Sequence, residues 1–287
     1  MSKISDSLNH KNIVCPFCSL HCDDLEIDVH DNNLYVKSNV PKSCAYKYEK
    51  LNLPKFKNMV TTVKGKPCEP KKAYQYSRQL IKKSKETVLL NSSSDVNVTR
   101  EVLSAASKVN AIVDHVNSSI FLKNISIYQR RGYMATSLTE VKNKSDVIIV
   151  FSNNLFETYP RLMDKFLATK NSFSVNSKKK EIYVIGNKKN NIKDCNIRDK
   201  RITYVDFDNR NITKLLNSFI SKKNESSISN KIFNKLLTSI ETSKYLSVLW
   251  ATSEFDSYKE CDEIIYNISA YVVSLNKTSR AACLSLS

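Results

Sequence analysis

The sequence predicts an α/β protein, in which a small cysteine-rich β module at the N-terminus precedes a doubly wound, largely parallel-sheet body. Three observations carry this reading. Short runs of β-branched and aliphatic residues, of which Val147-Ile148-Ile149-Val150-Phe151 is the strongest, recur between stretches of helical period, as expected of strands buried on both faces. Four cysteines, Cys15, Cys18, Cys22 and Cys44, are bunched ahead of the first such run. At 287 residues, 41% of them hydrophobic, the chain is long enough to bury one large core or two ordinary ones.

Along the chain, residues 24–38 alternate apolar and polar side chains around His30-Asp31-Asn32-Asn33, which reads as a β-hairpin joining the third cysteine to the fourth. Residues 51–70 hold three prolines and clustered lysines and read as a connecting segment. The expected division therefore gives a cysteine module over residues 1–58 and an α/β body over residues 59–287. In the body, strands are expected at Thr87–Leu90, Ala111–Val113, Val147–Phe151, Ile182–Ile185, Ile202–Val205 and Leu246–Trp250. Helices are expected over Val98–Val109, Arg161–Ala168, Ile212–Ile220, Ile228–Ser239 and Tyr258–Leu275, while the residues after Val113 read as a polar stretch. Ligands of open parallel sheets bind beyond the carboxyl ends of the strands, so the loop Ser152–Thr158, with Asn153 in it, is the expected pocket wall. The only glycines are Gly65, Gly132 and Gly186, and none forms a dinucleotide or Walker pattern, which excludes a glycine-lined phosphate cradle.

The cysteines form a C-x2-C-x3-C-x21-C array. Three thiolates within one short loop plus a distant fourth suit a cubic iron-sulfur cluster, whose irons take four Cys ligands. A structural zinc ion is more often gripped by two C-x2-C knuckles. The spacing favours a [4Fe-4S] cluster on Cys15, Cys18, Cys22 and Cys44, with zinc, a disulfide pair or an unfilled pocket as alternatives. Cys68, Cys195, Cys261 and Cys283 lack ligand spacing and read as buried or idle thiols.

The N-terminal MSKISDSLNHKN lacks the apolar run of a signal peptide, and no apolar stretch approaches the roughly 18 residues of a membrane span. A cytoplasmic protein with no membrane association is expected. The net charge of +17 favours acidic partners. Nucleic acid is not expected among them, because the lysines are spread along the chain and no basic helix, zinc-finger His pair or aromatic RNA-binding strand accompanies them. A compositional bias toward Lys, Asn and Ile accounts for the same charge.

The segment Cys15-Pro16-Phe17-Cys18-Ser19-Leu20-His21-Cys22-Asp23-Asp24-Leu25 resembles the N-terminal signature of the B subunit of formylmethanofuran dehydrogenase, of the molybdopterin oxidoreductase superfamily. Three more segments resemble that family in order: Gly132-Tyr133 with Thr136–Val147, Tyr159-Pro160-Arg161-Leu162-Met163, and Asn276–Ala281. The resemblance implies a [4Fe-4S] cluster on the first cysteines, a molybdenum or tungsten bis-pterin held partly by a Cys or selenocysteine, and reduction of carbon dioxide to formate. It extends to the B subunit of the bacterial formyltransferase/hydrolase complex, which releases formate from a formylated carrier in tetrahydromethanopterin-linked one-carbon metabolism. No redox chemistry is expected of that B subunit.

Departures from the family pattern favour the second version. The metal-ligating Cys should lie within Asp114–Leu122, yet no Cys occurs between residues 69 and 194, so the soft thiolate ligand is missing. His115, Ser118 and Ser119 are the residues there able to replace it, and each also reads as a polar loop residue. The family's Gly-Ser-Asn-Pro loop is here Ser152-Asn153-Asn154-Leu155, without the glycine that lets backbone approach a phosphate. The chain ends soon after the last match, so the family's C-terminal cofactor contacts are expected to be missing.

The expected function is a non-redox structural subunit of a formyltransferase/hydrolase complex, partnered by zinc amidohydrolase-type and formyltransferase subunits. The positive charge suits a polyglutamylated methanofuran-type carrier. The alternative is an active molybdenum or tungsten dehydrogenase subunit, which needs a replacement metal ligand, and whether the chain is an enzyme turns on that ligand. Arg161 and Asn153 are the expected contacts in the vestigial cofactor cleft, with an ion pair to a neighbouring helix as the other reading of Arg161. His21 is expected to hydrogen-bond a cluster sulfur, Asp23 and Asp24 to cap the next element, and Glu140 and Lys142 to lie on a solvated helix face.

Overall fold

The computed structural model describes residues 8–53, 60–91, 95–152, 154–169, 180–187 and 202–286. They form two compact units, one of residues 1–47 with 120–287 and the other of residues 48–119. The division thus falls away from residue 58. The cysteine module groups with the C-terminal body, and the segment following it makes the second unit.

In the first unit, β1 (Leu8–Ile13), β2 (Leu25–His30) and β3 (Asn33–Val36) form an antiparallel sheet in that order. The expected hairpin is β2–β3, turning at Asp31 and Asn32, both of positive φ, a conformation that Asn and Asp tolerate better than other side chains. Strand β1, Leu-Asn-His-Lys-Asn-Ile, is too polar to read as a strand and is held by its pairing with β2.

The main sheet contains β8 (Val147–Phe151), β9 (Glu181–Gly186), β10 (Ile202–Asp206), β11 (Tyr245–Trp250) and β12 (Arg280–Ser285). Its order is β10-β9-β8-β11-β12 and every pairing is parallel. The chain winds outward from β8 in one direction and then in the other, the doubly wound arrangement, with its switch point between β8 and β11. Strand β12, Arg-Ala-Ala-Cys-Leu-Ser, was not legible because its residues are small, yet three of them are buried beside β11.

Alternation along the strands builds two cores. Val147, Ile149, Phe151, Val248 and Trp250 face α7 (Ile212–Ser221), α8 (Asn230–Thr242) and α9 (Cys261–Leu275). Ile148, Val150, Val184 and Leu249 face the other way, against Val141 of α5 (Leu138–Lys144), Phe156 of α6 (Leu155–Thr158) and the cysteine loop residues Leu20 and Cys22. The cysteine loop is therefore part of the layer that covers one face of the sheet. The helix expected at Arg161–Ala168 is a π-helical turn, Met163–Leu167, in which Ala168 N–H donates to the Met163 carbonyl over 2.7 Å.

Helix α5 starts at a serine N-cap: the Ser137 hydroxyl accepts the Glu140 N–H at 3.2 Å. Ser137→Ala is expected to lower stability by about 1 kcal/mol, measured as a shift of the urea midpoint at unchanged slope.

The second unit spans the end of α1 (Lys42–Leu51), the hairpin β4 (Thr62–Val63)–β5 (Lys66–Pro67) and α2 (Pro70–Lys83). It continues through β6 (Val88–Asn91), α3 (Val96–Val109) and β7 (Ile112–His115) to the start of α4 (Ser118–Arg131). Strands β6 and β7 pair in parallel as a two-stranded sheet. The described part of the expected connecting segment holds the β4–β5 hairpin, with α2 following it, and α4 occupies the expected polar stretch and ends at Gly132, whose φ of +84° makes the left-handed cap that glycine favours. Among the described residues, no helix is long and apolar enough to cross a membrane.

Candidate metal centre

The cysteine loop is closed by its own backbone: Cys15 N–H donates to the Cys22 carbonyl at 2.8 Å, and His21 N–H to Cys18 at 3.2 Å. His21 takes the left-handed conformation that this tight return requires. Cys44 comes from a different element, the first turn of α1, where the helix dipole favours an anionic sulfur.

The four thiols lie within electrostatic reach of one another. Burial raises the pKa of Cys44, Lys47 opposes it, and Cys15, Cys18 and Cys22 add to it. Burial likewise raises Cys22, against Arg161 and with Cys18. Among the described residues, no three His, Cys, Asp or Glu side chains are gathered closely enough to hold a single metal ion. One tetrahedral zinc, with Zn–S bonds of about 2.3 Å, would need its sulfurs within about 4 Å of each other. An all-thiol set of a triad plus one is, by its chemistry, the donor type that the irons of a cubic cluster take.

The loop is fastened to the body by charge. Arg161 Nη1 and Nη2 donate to the two oxygens of Asp24 at 2.7 and 2.8 Å, a bidentate fork, and Lys165 reaches Asp24 at 2.8 Å. The fork holds Asp24 well below the usual carboxylate range and raises Arg161 in turn. Ser19 donates to the Tyr159 hydroxyl at 3.4 Å, and Leu20 and Cys22 pack in the same core as Leu162 and Met163. Arg161 thus makes an ion pair within the protein instead of facing an open cleft. Asp24 anchors the loop, a role beyond the capping expected of it. Asn153 lies outside the described residues.

The four segments that resemble the family meet as two tertiary pairs. Cys15–Leu25 meets Tyr159–Met163 as just described. Thr136–Val147 meets Asn276–Ala281: Arg280 lies 3.6 Å from Glu140, and Thr136 N–H donates to Cys283, two residues beyond Ala281. Asn276 ties its own turn together, donating from Nδ2 to the Val272 and Ala281 carbonyls and accepting from Ala281 N–H. Glu140, expected on a solvated face, also binds Lys144 and Thr136.

At the switch point, Ser152 Oγ donates to Glu254 Oε1 at 2.7 Å, and Asn154 N–H donates to the same oxygen at 3.1 Å. A carboxylate of the protein thus takes up two donors at the switch point. His115 and Ser118 are engaged locally, His115 Nδ1 accepting from Asn117 N–H and Ser118 hydrogen-bonding Asp114. These residues do not fit a thiolate-held metal bis-pterin. Cys261 and Cys283 are buried thiols, pushed up by burial to about 11 and about 12, Cys68 is a partly buried free thiol, and Cys195 lies outside the described residues.

A crevice of about 730 Å³ opens beyond β9 and β10, lined by Asp206, Asn209, Arg210 and Tyr258 among others. Sequence reading missed it, because its walls follow the weaker strands. Asp208 and Arg210 neutralise each other, whereas Asn209, 1% exposed, has neither amide atom hydrogen-bonded among the described residues. Burying an unpaired amide costs about 1–3 kcal/mol. Asn209→Leu is therefore expected to raise stability by about 1 kcal/mol, read as a higher urea midpoint at unchanged slope, and a fall would show that the amide has a partner.

No family model matches the chain. It is 26% identical over 162 residues to the B subunit of tungsten-containing formylmethanofuran dehydrogenase 2 of Methanococcus maripaludis. It is 28% identical over 167 residues to the protein of the same name of Methanocaldococcus jannaschii. Each match covers 54% of this chain and 37% of the relative, so the chain matches little more than a third of the length of these curated relatives. A chain of the formyltransferase/hydrolase complex (FhcABCD) of Methylorubrum extorquens, solved with methylofuran, superposes with a TM-score of 0.59 at 16% identity, over 79% of this chain and 60% of that one. The resemblance to the B subunit of formylmethanofuran dehydrogenase holds in sequence, and the likeness to the solved chain is one of fold.

Proposed function

We propose that this chain is a structural component of a formyltransferase/hydrolase assembly, similar to the B subunit of formylmethanofuran dehydrogenase, carrying a [4Fe-4S] cluster on Cys15, Cys18, Cys22 and Cys44 and performing no metal–pterin chemistry. The observation that carries the reading is the all-thiol array, in mutual electrostatic reach and fastened to the body by the Asp24–Arg161 fork. When bound, such a cluster supplies one-electron transfer and four bonds that cross-link its ligands. Here the second property matters: Cys44 on α1 would be tied to the loop that fills one face of the sheet. Glu254 at the switch point and the missing thiolate weigh against a pterin-bound metal. The partners are zinc amidohydrolase-type and formyltransferase subunits of the assembly. Its carrier is of the methanofuran type, whose acidic tail the charge of +17 would attract.

A second reading, an active molybdenum or tungsten subunit, draws on the same array, since a cluster is the natural electron donor to a metal–pterin site. The test is metal and sulfide analysis of the chain purified anaerobically with its native partners. About four irons and four sulfides per chain, without molybdenum or tungsten, are expected, and Cys44→Ala is expected to remove them. Zinc in place of iron would refute the cluster, and stoichiometric molybdenum or tungsten would establish the second reading.

A further inference from the structure

Of the described residues in the unit Tyr48–Ser119, only Tyr48 and Ala106 are buried. A parallel sheet is ordinarily covered on both faces, and two strands alone are marginal. In β6–β7 one face is turned to α3, where Asn91 donates to Thr99 at 3.1 Å. The opposite face carries Asp114 and three apolar residues, Val88, Leu90 and Ile112, with Val88 paired to Ile112 and Leu90 to Asp114. These three are 61%, 63% and 60% exposed. Helix α2 is amphipathic and also buries none of its residues.

We infer that the bare face of β6–β7 is a docking surface for a different polypeptide, one that presents apolar side chains within a neutral or acidic surround. The apolar area argues for a protein partner. The charge argues against a second copy of this chain, because the unit holds 13 Lys and Arg against 6 Asp and Glu. Two copies would bring like charge together, whereas an acidic rim would be drawn to it. The inference rests on the proposal that the chain is an assembly component, and it names the surface used.

The test places a photo-crosslinking amino acid at Leu90 in the full-length chain, expressed in its native cells, with Ile220 of the first unit, also exposed, as the control position. Irradiation is expected to join position 90 to one other polypeptide in near-stoichiometric yield, at a peptide that is apolar and not basic, with at least a tenfold lower yield from Ile220. In a second variant, Ile112→Arg, the crosslink from position 90 is expected to fall at least tenfold. Crosslinking to a second copy, crosslinking within the same chain, or equal yields from both positions would overturn the inference. If other subunits co-purify but position 90 does not reach them, the assembly reading stands and this surface fails. If the chain purifies alone, the assembly reading itself fails.

Discussion

Replacing Asp24 by Ala is expected to destabilise the first unit by about 3 kcal/mol, because it strands a buried guanidinium. Arg161 lies among Leu162, Met163 and the cysteine loop, and its remaining acidic neighbour, Asp164, stands 3.6 Å from Nε. Arg161→Met should cost less, at about 1–2 kcal/mol. It removes the charge and keeps an apolar stem, and it leaves Asp24 half exposed and still bonded to Lys165 at 2.8 Å. The order of the two effects, read from urea midpoints, is the decisive result. Equal or reversed losses would mean that the fork holds the loop no better than a surface pair. Proteolysis within residues 14–24 should quicken in Asp24→Ala, since the loop loses its anchor.

Trp250→Ala is expected to be the most damaging single change in the sheet, costing about 4 kcal/mol. The indole is fully buried at the end of β11, lies edge-on to Tyr133 at 6.4 Å, and donates from Nε1 to Thr252 at 3.2 Å. Thr252 keeps its bond to Asn124 after the change, so the loss comes mainly from the cavity and not from an orphaned hydroxyl. Trp250→Phe should recover more than half of it. Calorimetric midpoints check both, and a loss below about 2 kcal/mol for Ala would mean that the neighbouring side chains close the gap.

Much of the sheet was legible because its strands are local patterns. Val147–Phe151 is an uninterrupted apolar run and Leu246–Trp250 is broken only by Ser247, and the structure buries every residue of both. Strands β1 and β12 were not legible, since polar or small residues become strands only through the neighbours they pair with. Helix α2 was hidden behind Pro70, which opens the helix at its first position instead of ending a linker. The Cys15–Cys22 loop was plain from its spacing, but its anchor was not: Asp24 and Arg161 stand 137 residues apart.

What the sequence by itself determined is the four-thiol donor set, the α/β class and the likeness to the B subunit of formylmethanofuran dehydrogenase. Each of these is a matter of residue type and short spacing, which the chain carries before it folds. The tertiary structure alone decided that the cysteine loop covers one face of the sheet and that Arg161 commits its charge to Asp24. It also decided that Glu254 fills the switch point and that Val88, Leu90 and Ile112 are left bare. These depend on which distant segments pack together, and burial and charge pairing take their values only from that packing.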